Sequence, residues 1–162
     1  MATTELEAAI APGASLLVDS SAILAYLDGT ESVSDVAAYV FDQLVAKGRN
    51  PAVVSAVSVT EALVRPYRAR SASAVGTVEA FLRSFPNLSI EHVTFDIGRQ
   101  AARIRAATAL RTPDALILAT ATVIGSQLVI ANDDRWLAAI ERAGLTVGLC
   151  HLDAYTHTGL AG

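Results

Sequence analysis

The sequence predicts an α/β fold, a three-layer α/β/α sandwich around a central, mainly parallel sheet of about five strands. Three observations predict it. Short apolar runs of strand length recur along the chain, and helical spacing of apolar residues fills the intervals between them. No internal repeat, low-complexity stretch or long linker divides the 162 residues, so one domain is expected. A hydrophobic content of 52% supplies a real core and argues against disorder.

The elements follow in order. Residues 1–14 read as an N-terminal tail or cap, with Glu5 and Glu7, no basic residue and no apolar core of signal-peptide length. Together with the single Cys150, this leads to the expectation of a cytoplasmic protein. Leu16-Leu17-Val18 stops on Asp19 and passes at once into the helical pattern Ser20 to Leu27, as a strand buried on both faces does. A second helix runs from about Ser34 to Lys47, with Val36, Val40, Phe41 and Leu44 on one face and Gly48 at its end. Ala52 to Val57 reads as a second buried strand, and Ser58 to Val64 as a helix that Pro66 ends or kinks.

Val75, Val78, Phe81, Leu82 and Phe85 recur at helical spacing from Ala72 to Phe85, whereas Leu88 to Val93 alternates apolar and polar residues as an edge strand does. Phe95 to Leu110 is an alanine- and arginine-rich helix. Thr112 suits the N-cap and Pro113 the first position of a helix reaching about Ile124. Leu128 to Ala131, Arg135 to Arg142 and Thr146 to Cys150 complete the pattern as strand, helix and strand. The domain is thus bounded at 15–150, and 151–162 reads as a C-terminal tail. The apolar stretch Ala115 to Ala131 is broken by Gly125-Ser126-Gln127, so helix, turn and strand explain it and no membrane span is expected.

Four acids fall at corresponding points of this plan: Asp19 after the first strand, Glu61 in the first turn after the second, Asp114 at a helix start, and Asp133 after the fourth strand. Each alone has a structural reading. Ser58 and Glu61 fit a capping box, and Asp114 and Asp133 sit where a helix dipole favours anions. Ligands of open α/β sheets gather outside the carboxyl ends of the strands, which is where Asp19, Glu61 and Asp133 should meet. Asp114 opens a helix that precedes its strand, and its arrival there is left open. Crowded carboxylates repel unless a proton or a cation joins them. An all-oxygen set suits Mg²⁺ or Mn²⁺, and the chemistry this allows is phosphodiester hydrolysis. His92, His151 and His157 lack zinc-ligand spacing with Cys150.

Val18-Asp19-Ser20-Ser21-Ala22, Ser55 with Glu61, Arg111-Thr112-Pro113-Asp114-Ala115-Leu116, and Ala131-Asn132-Asp133-Asp134-Arg135-Trp136 resemble, in order and spacing, the four motifs of the PIN domain, above all in the toxin ribonucleases of VapBC toxin–antitoxin pairs. The resemblance covers Leu16 to Cys150. It implies a Mg²⁺- or Mn²⁺-dependent endoribonuclease acting on RNA, a homodimer, and inhibition by a cognate antitoxin. It also implies that Asp19, Glu61, Asp114 and Asp133 are the catalytic acids, with Asp19, Asp114 and Asp133 on the metal. On the same grounds Ser20 or Ser21 would orient the first carboxylate, and Asn132 would brace the last turn. Two departures stand out. Ala131 replaces the family's usual Thr or Ser, and Asp134 beside Asp133 makes a second candidate ligand, although the motif alignment favours Asp133.

The remaining features divide between substrate contact and solvated surface. Arg65, Arg68 and Arg111 are candidate RNA-binding residues, since all basic residues except Lys47 are arginines and arginine grips phosphate as a fork. The net charge of -4 argues against a broad nucleic-acid-coating surface. Receiver domains and haloacid-type phosphatases also place acids at strand ends. The first needs a late lysine that this chain lacks, and the second an acid where Ser21 stands. A catalytically degenerate PIN-like scaffold that binds RNA or protein is the non-enzymatic alternative.

Overall fold

The computed structural model describes residues 3–156; Met1, Ala2 and residues 157–162 lie outside it. Five strands form one parallel sheet in the order β3-β2-β1-β4-β5: β1 Leu16–Val18, β2 Ala52–Ser55, β3 Leu88–Glu91, β4 Leu128–Ala131 and β5 Gly148–His151. The pairing registers place Leu16 beside Ala52 and Leu128, so β1 is the centre of the sheet. Central position requires burial on both faces, which is why Leu16, Leu17 and Val18 are all apolar and fully buried.

Helices cover both faces. Leu16, Val18, Val54 and Ile130 point into a core closed by α1 (Thr3–Ala9), α2 (Ser20–Asp28), α3 (Ser34–Ala38), α4 (Ala56–Arg68) and α5 (Ala72–Ser84). Leu17, Val129 and Ala131 face the opposite core, built from α6 (Phe95–Ala107), α7 (Thr112–Ile124) and α8 (Arg135–Arg142). The expected three-layer sandwich is therefore the fold. Among the described residues no helix is long and apolar enough to cross a membrane.

Several boundaries differ from the sequence expectation, each for a physical reason. The second strand ends at Ser55 and not at Val57, because the Ser55 side chain accepts from Val57 N and caps α4. Ser58 thus lies inside the helix, and the capping box with Glu61 does not form. Pro66 neither ends nor breaks α4. It sits in the last turn, and bonds from Ala69 N to Arg65 O (2.9 Å) and Ser71 N to Pro66 O (3.2 Å) close the helix around it. Thr112 is the first helical residue and Arg111 the cap, without a side-chain bond. The helix expected over 34–47 becomes π-helical from Tyr39 to Val45, closing with Ala46 N to Phe41 O at 2.8 Å.

The N-terminal segment is a packed cap. Leu6 and Ile10 are fully buried, and Asn50 Nδ2 donates to Ala11 O at 2.8 Å and to Ala14 O at 2.9 Å. At the other end β5 runs through His151 into a 3₁₀ turn, Leu152–Tyr155, whose Leu152 is fully buried, so ordered structure passes the boundary drawn at 150.

Candidate active site

The first strand delivers Asp19 to the carboxyl edge of the sheet, where its N–H donates to Ile130 O at 2.9 Å and ties the end of β1 to β4. Its carboxylate caps α2, accepting from Ser21 N at 3.2 Å and Ser21 Oγ at 2.6 Å. The Ser21 hydroxyl in turn accepts from Asn132 N at 3.0 Å, so one side chain fastens the β1 and β4 ends together. Ser20 points elsewhere: its Oγ donates to Glu61 Oε2 at 2.6 Å, tying α2 to α4. Of the two serines, Ser21 orients Asp19 and Ser20 orients Glu61. Asn132 Oδ1 accepts from Asp153 N at 3.1 Å and braces the turn after β5.

Asp114 reaches this edge because α7 runs back across the sheet. Its far end leads into β4 at the amino edge, where Gln127 N donates to Ser15 O, so its first turn stands at the carboxyl edge. A helix that precedes a parallel strand must begin where that strand will finish. Asp133 and Asp114 then meet across Arg135, whose Nη2 lies 2.5 Å from Asp133 Oδ2 and 3.7 Å from Asp114 Oδ2. Arg111 Nε is 3.8 Å from Asp114 Oδ2. Asp134 turns away: fully exposed, it places Oδ1 3.1 Å from His151 Nε2. Of the two neighbouring acids, Asp133 is the one beside Asp114.

The electrostatics differ from acid to acid. Burial, reinforced by the nearby Glu61 charge and opposed by the Ser21 hydrogen bonds, pushes the Asp19 carboxyl up from 3.8 to about 6. The hydrogen bonds from Arg135 hold Asp133 below the ordinary carboxylate range. Asp114 Oδ2 is buried and has no hydrogen-bond partner. A buried carboxylate oxygen without a donor and a carboxylate that resists ionising both gain from a cation. The donor set is all oxygen, which fits Mg²⁺ or Mn²⁺. Among the described residues no three His, Cys, Asp or Glu side chains stand together as a ready metal cage, and Asp133 is bonded to Arg135.

Two stability predictions follow from this geometry. Ser21→Ala removes the bond to Asp19 and leaves Asn132 N–H without its acceptor, at an expected cost of about 1–3 kcal/mol in urea unfolding. The second concerns pH. Asp19 takes its proton more readily folded than unfolded, so the stability it contributes is full below pH 3.8 and is lost as pH rises through about 6. In EDTA, melting temperature should fall across this window in the wild type relative to Asp19→Asn. Asp133, with its lowered value, acts below the window and with opposite sign.

The structure assembles Asp19, Glu61, Asp114, Asp133, Ser20, Ser21, Asn132 and Arg111 at one edge. Arg65 and Arg68 are exposed further along α4 and, among the described residues, make no ion pair with the four acids. Sequence reasoning missed Arg135 as a site residue; its position two after Asp133 was the available signal. Trp136 is 1% exposed and belongs to the core.

Solved structures share this fold. VapC20 of Mycobacterium tuberculosis, described as a sarcin-ricin loop cleaving toxin, aligns with a TM-score of 0.64 at 21% identity over 76% of this chain and 94% of its own. VapBC2 of Rickettsia felis, solved on a DNA fragment from its promoter, gives 0.67 at 13% identity over 85% and 98%. A toxin–antitoxin complex from Klebsiella pneumoniae gives 0.61 at 18% identity over 85% and 97%. No curated protein matches the sequence. At these identities the likeness establishes the fold. The sequence itself matches the PIN domain family over residues 16–142, a span that holds all four acids, and the protein belongs to that family.

Proposed function

We propose that this protein is a divalent-metal-dependent endoribonuclease that hydrolyses RNA phosphodiester bonds, the toxin of a type II toxin–antitoxin pair, held in check by a cognate antitoxin. The observation that carries the reading is the convergence of Asp114 and Asp133 on one cationic group beside Asp19, with Asp114 Oδ2 left without a donor. A sarcin-ricin loop cleaving toxin and several toxin–antitoxin complexes among the structural neighbours support the biological setting. Cytoplasmic location and a homodimeric solution state belong to the same proposal.

Asp19, Asp114 and Asp133 would hold Mg²⁺ or Mn²⁺, with Glu61 beside them. The ion, when bound, supplies activation of water and stabilisation of charge at phosphorus. Ser21 keeps Asp19 aimed at the edge, and Ser20 does the same for Glu61. Arg111, exposed beside Asp114, holds a phosphate of the substrate, while Arg65 and Arg68 extend the contact along α4 and make affinity salt-dependent. Ala131 is fully buried in the core and presents only a methyl, so Asp133 is positioned by the backbone N–H of Arg135, which donates to its Oδ1.

Induced expression in a bacterial host tests the biology. Growth arrest by the wild type, with normal growth for Asp114→Asn at equal protein level, is the expected result. Equal toxicity of the two would remove the nuclease as the cause, and no arrest by the wild type in an antitoxin-free host would favour the non-cutting scaffold.

A further inference from the structure

The acid edge already carries a cation of its own. Arg135, the first residue of α8, donates Nε to Asp133 Oδ1 at 3.0 Å and Oδ2 at 3.2 Å, and its backbone N–H donates to Oδ1 at 2.9 Å. Its Nη2 also stands 3.7 Å from Asp114 Oδ2, close enough for attraction and too far for a hydrogen bond. The guanidinium therefore balances charge from two elements distant in sequence while leaving a buried oxygen of Asp114 unfilled. Its side chain is 52% exposed and so is free to leave.

We propose that Arg135 is the resident counter-cation of the acid edge, and that a divalent metal must displace it from Asp133 and Asp114 to bind. The inference rests on the metal-site reading above and adds a competitor to it. Two signs follow. The guanidinium stabilises the metal-free protein, and it weakens metal binding by the interactions that must be broken. Removing it should therefore lower metal-free stability and raise metal affinity together, a combination that a merely structural surface arginine does not produce.

The test is calorimetric titration of Mn²⁺ into the full chain, comparing wild type, Arg135→Gln and Arg142→Gln, with melting curves in EDTA. Arg142 removes the same charge from the same helix and has no ion pair among the described residues. Arg135→Gln is expected to bind Mn²⁺ about tenfold more tightly than wild type, because the metal no longer has to break the two ion pairs of the guanidinium. In EDTA it should melt about 2–4 °C lower. Arg142→Gln should match wild type in both. Equal Mn²⁺ affinity in wild type and Arg135→Gln overturns the proposal while leaving the metal site standing, as does an equal gain in Arg142→Gln. Absence of Mn²⁺ binding in all three overturns the metal site and this inference with it.

Discussion

Asp19→Asn is expected to move activity and stability in opposite directions. Cleavage of RNA should fall by about a thousandfold or more, because the variant loses a charge that a metal and the developing phosphate charge both depend on. Stability in EDTA at pH 7 should rise, by roughly 1–3 kcal/mol, because the buried carboxylate is ionised there against its environment. Asn keeps the size, keeps an oxygen for Ser21 to donate to, and still caps α2. Urea unfolding and an RNA cleavage assay on the same preparation check both arms. A residue serving only as a helix cap would leave both quantities nearly unchanged, because Asn caps as well as Asp, so unchanged cleavage or a fall in stability contradicts the assignment.

The largest purely structural effect is expected from Phe41→Ala. Phe41 is fully buried, with ring centroids 4.8 Å from Tyr26, 5.2 Å from Phe81 and 5.5 Å from Phe85. These four rings join α2, the π-helical segment and α5, and α2 carries Ser20 and Ser21 at its opposite end. Truncation removes both burial and the tilted and edge-on ring contacts, and the cavity it leaves closes only partly. An unfolding free energy lower by about 3–5 kcal/mol is expected, measured by urea denaturation. A loss under about 1 kcal/mol would mean that the cluster repacks, and that α2 is held by other contacts.

Much of this architecture was legible in the chain. Leu16-Leu17-Val18 ends on Asp19 and passes at once into helix, and an apolar run followed in that way fits a strand buried on both faces of a parallel sheet. Gly29 and Gly125, with φ of 72° and 74°, close α2 and α7 in the left-handed region that glycine adopts without strain. What failed was the placing of boundaries inside uniform stretches. Ala52 to Val57 is apolar apart from Ser55 across the change from strand to helix, so periodicity does not show that the N-cap is Ser55, three residues before Ser58.

The site was legible as a set of acids and not as an arrangement. Asp19, Glu61, Asp114 and Asp133 each carry a local signal. The division of labour between Ser20 and Ser21 depends on which way two adjacent helical side chains turn, toward α4 or toward β4. Arg135 reads as an ordinary first helical residue, and its contact with Asp114 joins α8 to α7, which no spacing reveals. The separation of Asp133 from Asp134 likewise depends on His151 at the end of β5, the strand paired beside β4.

On the proposed function, these acids cut RNA with the help of a divalent ion. The direct measurement is cleavage of a mixed small-RNA pool by purified protein, in Mg²⁺ or Mn²⁺ and in EDTA, for wild type and Asp114→Asn. Fragments are expected from the wild type with metal only, and none from the variant under either condition. Cleavage that survives EDTA, cleavage by folded Asp114→Asn at the wild-type rate, or intact RNA from folded, antitoxin-free wild type across several RNA classes would contradict it.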